Sequence, residues 1–282
     1  MSNLSDKALL VNLSISAWAG RKKDKNATES VAIKYSAKNG AGNYTKKLLP
    51  GAKELDRISS LASSFREYFR GQSLPWLSDG TRILSGDNYL QFTAEYRTRK
   101  NEFDSAVRDF IAIYPSLKTN AQSILGDLYN AADYPDAHDL HKSFNCDVAF
   151  MPLPDVTDFR IEIGESEKLE FANKMQDVAN NAVNEVRSRL FEVVNNAALR
   201  LKDPNAKFRD SLLSNVTELC ELLPRLNITN DLNIEKSRLD VISLVESLDV
   251  NNLRKNAVDR NDAAEKLESI TRAMGSFMGG AM

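Results

Sequence analysis

The chain has 282 residues, of which 42% are hydrophobic and 27% are charged, and its formal net charge is -2. This balance is typical of a folded protein with a substantial core, and it excludes a disordered chain or a small disulfide scaffold, since Cys146 and Cys220 are the only cysteines. No apolar run approaches the roughly 20 residues that a membrane-spanning helix needs, and two widely separated thiols favour a reducing compartment.

The N-terminal segments mix strand and helix signals. Residues 11–18 alternate apolar and polar side chains, which predicts a strand with one buried face. A basic run follows, and residues 28–38 then fit a short helix, although their alternate positions also fit a strand. Residues 43–49 predict a second strand.

The next segments are predicted to be helices separated by turns. Apolar side chains recur at helical spacing over residues 55–69, and a turn-rich stretch with proline and glycine follows at 74–80. Helical spacing resumes over 87–114, where we expect Pro115 to end the helix, and a further helix is predicted over 117–130.

After a short predicted helix the chain becomes extended. Alternating side chains predict strands over residues 146–150 and 159–163. A small sheet that places residues 11–18 beside 146–163 would join the first and last segments of one unit. We therefore predict an α+β domain over residues 1–163, with a basic N-terminal hairpin region.

A long helix is predicted over residues 165–203, which contain no Gly or Pro. Such a helix would be roughly 57 Å long at 1.5 Å per residue, so it must project or be covered by other segments. Both an intramolecular helical hairpin and an oligomerisation arm fit this length. In the second interpretation, the oligomerisation surface is an apolar stripe with steps of three and four residues: Met175, Ala179, Ala182, Val186, Leu190, Val193, Ala197 and Leu201.

The rest of the chain reads as helices, near residues 205–222, 232–248 and 252–274. Residues 164–282 are therefore predicted to form a helical domain, as a long-helix bundle or a coiled-coil hairpin. The apolar tail at 274–282 fits either a frayed terminus or a hook that docks on a neighbour. The whole chain is thus predicted to be α+β and predominantly helical.

The clearest binding signal is the basic run near the N-terminus. The first 50 residues carry nine basic and three acidic side chains, a net charge of +6, so the remainder carries -8. Cationic side chains neutralise phosphates and aromatic rings stack on unpaired bases, and the chain has both here, with Tyr35 and Tyr44 nearby. A solvated hairpin tip would explain the same lysines without a ligand. The predicted nucleic-acid-binding residues are Trp18, Arg21, Lys22, Lys23, Lys25, Lys46 and Lys47.

Signals for catalysis are weak. The glycine-rich residues 39–43 lack the spacing of a phosphate loop, and no serine lies in a Gly-x-Ser-x-Gly motif. His138 and His141 are three residues apart and could share a metal with Asp133 or Asp136, but Asp136 is also an ordinary helix cap. We expect no catalytic residues, no cofactor and no metal site, with a metal-dependent activity resting on the two histidines alone.

Several short segments together resemble a family of uncharacterised proteins carried by bacteriophages and integrative elements. They are Trp18-Ala-Gly-Arg-Lys22, Lys46-Lys-Leu-Leu-Pro50, Leu74-Pro-Trp76 with Asp79-Gly80, Asn88-Tyr-Leu90, Asp133-Tyr-Pro135, and Pro152-Leu-Pro154 with Asp158-Phe-Arg160. The resemblance covers roughly residues 10–163. It implies a gene near replication and recombination functions, and sometimes near a MoxR-like or CobS-like AAA+ ATPase, but it carries no catalytic residues across.

We therefore expect a non-catalytic, self-assembling phage or mobile-element protein that binds nucleic acid, single-stranded DNA above all, in replication, recombination or genome protection. The alternative is an adaptor that docks on an AAA+ ATPase or a host defence factor without nucleic acid. We expect a homo-oligomer away from membranes, in the cytoplasm, which is the host's cytoplasm if the protein is phage-encoded.

Overall fold

The computed structural model describes residues 4–38, 40–77, 80–154, 164–203, 209 and 211–278. The protein is α+β and mostly helical with a small antiparallel sheet, as the sequence predicts. It divides into two compact units, each with its own apolar core. The bundle unit comprises Met1–Asn12, Arg70–Phe92 and Phe150–Met282. The other unit comprises Leu13–Phe69 and Thr93–Ala149, and we call it the α3 unit because it contains most of helix α3 (Tyr89–Leu125).

These units do not follow the predicted boundary between residues 163 and 164. Two short strands of the first half, β4 (Leu74–Pro75) and β5 (Thr81–Ser85), lie in the bundle unit, where β4 contacts the long helix α5 (Glu165–Lys202). Apolar side chains of β4 and β5 share one core with those of α5. The helical half therefore completes its core with strands from far earlier in the chain.

One arginine of α5 holds the segment that leads into β4, inside the bundle unit. The guanidinium of Arg189 donates hydrogen bonds to the carbonyl oxygens of Arg70, Gly71 and Ser73, at 3.0, 2.8 and 3.0 Å. These carbonyls lie at and just beyond the C-terminal end of helix α2 (Lys53–Gly71), where no further turn supplies donors.

The remaining helices of the bundle unit are α6 (Ser211–Leu226), α7 (Leu232–Glu246), α8 (Val250–Lys255) and α9 (Ala257–Met278). Helix α5 packs chiefly against α9 and α6, and its interior side chains include Val186, Leu190 and Val194. The long helix thus pairs within the chain. Of the stripe predicted as an oligomerisation surface, five members are buried in this core, namely Ala182, Val186, Leu190, Ala197 and Leu201. Three are only partly buried, namely Met175, Ala179 and Val193.

Two predicted helix ends are wrong. Helix α3 (Tyr89–Leu125) continues through Pro115 instead of ending there. A proline inside a helix costs about 3 kcal/mol because it removes a hydrogen bond, but here Tyr114 and Ala121 are buried on either side of the proline. Packing on both sides keeps the helix continuous. In the same way, α6 includes Pro224 and extends to Leu226, beyond the predicted helix end near residue 222.

The predicted helix over 252–274 is divided into α8 and α9. Asn256 adopts an extended conformation between them, and its side-chain oxygen accepts a hydrogen bond from the backbone N–H of Val258 at 2.9 Å. Helix α9 then continues to Met278, and Met274 is buried in the core of the bundle unit. The last residues of the predicted tail, 279–282, lie outside the described residues.

The four-stranded sheet has the order β4-β5-β1-β6, with β1 at Ala8–Ser16 and β6 at Asn145–Pro152. Strands β1 and β5 are antiparallel, and the prediction that the first strand lies beside the strand near residue 146 is confirmed. The strand predicted over 159–163 lies outside the described residues. Strands β4 and β5 were not predicted.

The α3 unit contains α1 (Lys25–Lys34), α3 from Thr93 onward, most of α2, and the short helix α4 (Ala137–His141). The helical interpretation of residues 28–38 is thus confirmed for most of its length, against the strand. The core side chains of this unit include Ile58, Phe65 and Phe110. Across both units, no helix among the described residues has the length and apolar character needed to cross a membrane.

Candidate nucleic-acid interface

The basic run folds into a two-stranded ribbon in the α3 unit. Strand β2 (Arg21–Lys23) pairs antiparallel with β3 (Thr45–Lys47), which places Arg21 opposite Lys47 and Lys22 opposite Lys46. Because side chains alternate along a strand, Arg21, Lys23 and Lys47 share one face, and all three are exposed. Lys22 and Lys46 lie on the other face.

That second face is neutralised inside the unit. The ammonium group of Lys46 lies 2.8 Å from carboxylate oxygens of both Asp24 and Asp133 and donates to the carbonyl of Leu128 at 2.6 Å. Lys22 contacts the other carboxylate oxygen of Asp133 at 2.7 Å. Since the Lys46 side chain is only 5% exposed, it holds the ribbon in place and has no free donor surface for a ligand. Its predicted role in nucleic-acid binding is therefore corrected.

The same contacts set the protonation of the three central groups. The hydrogen bond from Lys46 is the main cause that lowers the pKa of Asp24 below its usual 3.8. Burial works against the charged form of Asp133, but hydrogen bonds from Lys22 and Lys46 outweigh it and lower its pKa too. Burial alone would lower the pKa of Lys46, yet its two carboxylate partners raise it above 10.5.

These shifts predict how the stability of the α3 unit depends on pH. The two carboxylates stabilise the fold above their unfolded pKa, and that contribution is lost as the pH falls through their lower folded values. Lys46 stabilises the fold below its unfolded pKa, and this is lost as the pH rises through its higher folded value. We therefore expect the contribution of these three groups to the unfolding free energy to be flat between about pH 5 and pH 10 and to fall outside that range. Urea titrations across pH check this, and an Asp133→Asn variant should show a shallower acid decline; an unchanged decline would contradict the assignment.

Trp18, predicted to stack on bases, belongs to the core of the α3 unit. Its ring lies 6.4 Å from Phe110 and 6.2 Å from Tyr114, measured between centroids, and it packs with the buried cluster of this unit. Just after it, Gly20 has a φ of +60°, and a Cβ there would lie 2.6 Å from a Leu55 methyl group. The turn into the ribbon therefore needs glycine, and the partly buried ring of Trp18 is engaged with the core.

Helix α1 and the return loop to β3 complete a small projection, which we call the basic lobe (residues 21–47). The side chain of Asp24 caps α1 by accepting a hydrogen bond from the N–H of Ala27. The hydroxyl of Thr28 donates to the carbonyl of Asp24 at 2.6 Å and accepts from the N–H of Tyr44 at 2.9 Å. One threonine thus fastens the end of the loop to the start of the helix.

A groove of about 280 Å³ lies between α1 and this loop. Aromatic and small apolar residues dominate its lining, and Tyr35 and Tyr44 are 71% and 39% exposed. Both tyrosines lie near the basic run in the sequence, but they are not among the predicted site residues. The residues that line the groove are Thr28, Glu29, Val31, Ala32, Tyr35, Ala37, Lys38, Gly40, Ala41, Gly42, Asn43 and Tyr44.

Within the described residues of the basic lobe, exposed charge is almost wholly positive. The exposed cations are Arg21, Lys22, Lys23, Lys25, Lys34, Lys38 and Lys47, of which Lys22 is paired with Asp133, whereas Glu29 is the one exposed acid. Comparisons with protein-family models, curated proteins and solved structures found no match. The geometry and charge of the lobe are therefore the basis for any functional argument.

The other candidates from the sequence are weaker in the structure. His138 and His141 lie exposed on α4, and the carboxylate of Asp133 is bonded to two lysines. In the part of the chain that the structure describes, no group of three or more His, Cys, Asp or Glu is placed to hold a metal ion. Burial raises the pKa of both Cys146 and Cys220 to about 11, which disfavours reactive thiolates.

Proposed function

We propose that this protein binds single-stranded nucleic acid, without catalysis, through the exposed cations of the basic lobe. The observation that carries the proposal is the ribbon face on which Arg21, Lys23 and Lys47 are exposed and form no ion pair with any acidic side chain that the structure describes. Phosphates are the anions that such a face suits, because a strand of nucleic acid presents them at regular short intervals.

The register of the ribbon adds a physical reason. Like charges directly opposite each other on antiparallel strands repel, and Arg21 lies opposite Lys47 on the exposed face. A bound phosphate would relieve that repulsion, so anion binding stabilises the ribbon as well as the complex. On the other face, Asp24 and Asp133 already neutralise the lysines, so the two faces differ in what they offer a ligand.

A single strand suits this lobe better than a duplex. Tyr35 and Tyr44 are exposed among the cations, and aromatic rings contribute to binding when bases are unpaired and free to stack.

Replacing Arg21, Lys23 and Lys47 together by glutamine is expected to weaken binding of fluorescein-labelled single-stranded DNA at least about tenfold at low salt. The slope of log affinity against log salt should become shallower by about 2, because each lost phosphate contact removes about 0.7 from the slope for single strands. Fluorescence anisotropy at several salt concentrations measures both quantities. Lys22 is left unchanged because it is bonded to Asp133.

A matched control removes three lysines from helices of the bundle unit, through Lys168→Gln, Lys174→Gln and Lys266→Gln. These side chains are exposed and each has an acidic neighbour on its own helix. The control has the same net charge as the test variant and should bind almost as the unchanged protein does. Equal loss in both variants would contradict a local interface, and binding to an acidic polypeptide with no binding to DNA would favour the adaptor instead.

Self-assembly is not needed for this proposal. The stripe of α5 predicted as an oligomerisation surface is largely occupied by contacts within the chain, so a homo-oligomer would have to use another surface. The mass in solution, measured by light scattering, shows whether the protein forms a homo-oligomer. A place in phage replication, recombination or genome protection remains a prediction from the resemblance.

A further inference from the structure

We infer that the groove between α1 and the return loop holds one unpaired nucleobase, stacked against tyrosine, while the adjoining phosphates contact lysines at its edge. The inference rests on the proposed function and adds a site, an occupant and a binding mode to it. It also replaces Trp18 with Tyr35 and Tyr44 as the stacking residues.

The groove has the lining that a base requires. Val31, Ala32 and Ala41 supply apolar surface, and Tyr35 and Tyr44 supply two aromatic rings. Its volume of about 280 Å³ lies close to the lower end, about 300 Å³, of pockets that bind small ligands. A planar ring system therefore fits the space better than a bulky folded partner does.

The walls of the groove are held by hydrogen bonds within the lobe. The N–H of Ala37 donates to the carbonyl of Ala32 at 2.9 Å, and that of Ala41 donates to Lys38 at 3.1 Å. Gly40 has a φ of +93°, which lets the loop turn back toward β3. Together with the Thr28 bridge to Tyr44, these bonds form the site before a ligand arrives, which lowers the entropic cost of binding.

The charged side chains around the groove indicate where the base and where the phosphates would lie. The carboxylate-bearing Glu29 is among the lining residues, so a phosphate inside the groove would meet a like charge. Lys38 lines the same groove, and the ammonium of Lys34 lies 5.8 Å from the centre of the Tyr35 ring. A neutral ring inside and anionic phosphates beside the lysines is the arrangement that these charges favour.

The test compares two labelled strands of twelve nucleotides, oligodeoxythymidylate and an abasic strand with the same phosphates. The unchanged protein should bind the base-bearing strand about tenfold more tightly, as expected for stacking of one base. The double variant Tyr35→Leu and Tyr44→Leu should bind both strands equally, with the salt slope of the unchanged protein, since no cation is removed.

Two further variants separate occupancy of the groove from effects on the fold. A Cβ added at Gly42 meets nothing within 4 Å, so Gly42→Leu is accommodated without a clash. Because Gly42 lines the groove, we expect the added bulk to abolish the preference for bases. Ile33 is 79% exposed on the same helix but does not line the groove, so Ile33→Ala should leave the preference unchanged.

Each result has a distinct meaning. If the unchanged protein binds both strands equally and in a salt-dependent way, the proposed function stands and the base site is refuted. If it binds neither strand, the proposed function and the base site both fail. If both the double tyrosine variant and the Gly42→Leu variant still prefer the base-bearing strand, the base site is refuted. Binding of polyglutamate as tight as that of the base-bearing strand would refute it as well.

Discussion

Replacing Lys46 by methionine is expected to lower the unfolding free energy of the α3 unit by about 3 kcal/mol. The substitution removes the cation that lies between Asp24 and Asp133, and leaves Asp133 with Lys22 as its partner and Asp24 without its ion pair. Methionine keeps much of the length of the side chain, so the loss reports on charge and hydrogen bonding and little on volume. It also leaves the carbonyl of Leu128 without the donor it has in the folded protein.

The two tryptophans allow this effect to be measured in one unit. Trp18 packs in the α3 unit and Trp76 in the bundle unit, and the chain has no other tryptophan. In a Trp76→Phe background, fluorescence during urea unfolding therefore follows the α3 unit. The control is Lys47→Met on the same strand, where the side chain is exposed and the change should stay within about 0.5 kcal/mol. Equal effects at both positions would show that the buried network does not stabilise the unit.

The long elements could be predicted from the sequence because side-chain periodicity extends over many residues. The helix from Glu165 to Lys202 shows this, since its apolar stripe continues over most of its length. Strands β4 and β5 could not be predicted in the same way, because they have two and five residues and one includes Pro75. Their existence depends on pairing with each other and with β1.

The candidate site was predicted in composition but not in detail. The alternation of side chains along the ribbon places Lys22 and Lys46 on one face and the other three cations on the opposite face. It does not show which of the two faces is exposed. That choice depends on Asp133, which is distant in sequence and reaches the ribbon through the tertiary fold. Trp18 illustrates the same limit, because only the folded chain brings Phe110 and Tyr114 against its ring.

The burial of the α5 stripe among helices of its own chain predicts the effect of a second substitution. Leu190→Ala is expected to lower the unfolding free energy of the bundle unit by about 3 kcal/mol, because the side chain is 1% exposed and its removal leaves a cavity. Leu199→Ala is the matched control on the same helix, since Leu199 is 56% exposed and should change stability by less than about 0.5 kcal/mol. Hydrogen exchange of peptides from α5 and α9, measured in urea, reports the unfolding of the bundle unit directly.

The same measurement, repeated over a roughly hundredfold range of protein concentration, distinguishes the two kinds of contact. Burial of Leu190 among helices of its own chain makes the unfolding midpoint of the unchanged protein independent of concentration, and the loss in the Leu190→Ala variant should be the same at every concentration. A contact between chains would stabilise the folded state by mass action, so the midpoint would rise with concentration and the variant would lose that rise. That second result would restore the stripe of α5 as an oligomerisation surface, and the first confines its role to the core of the bundle unit.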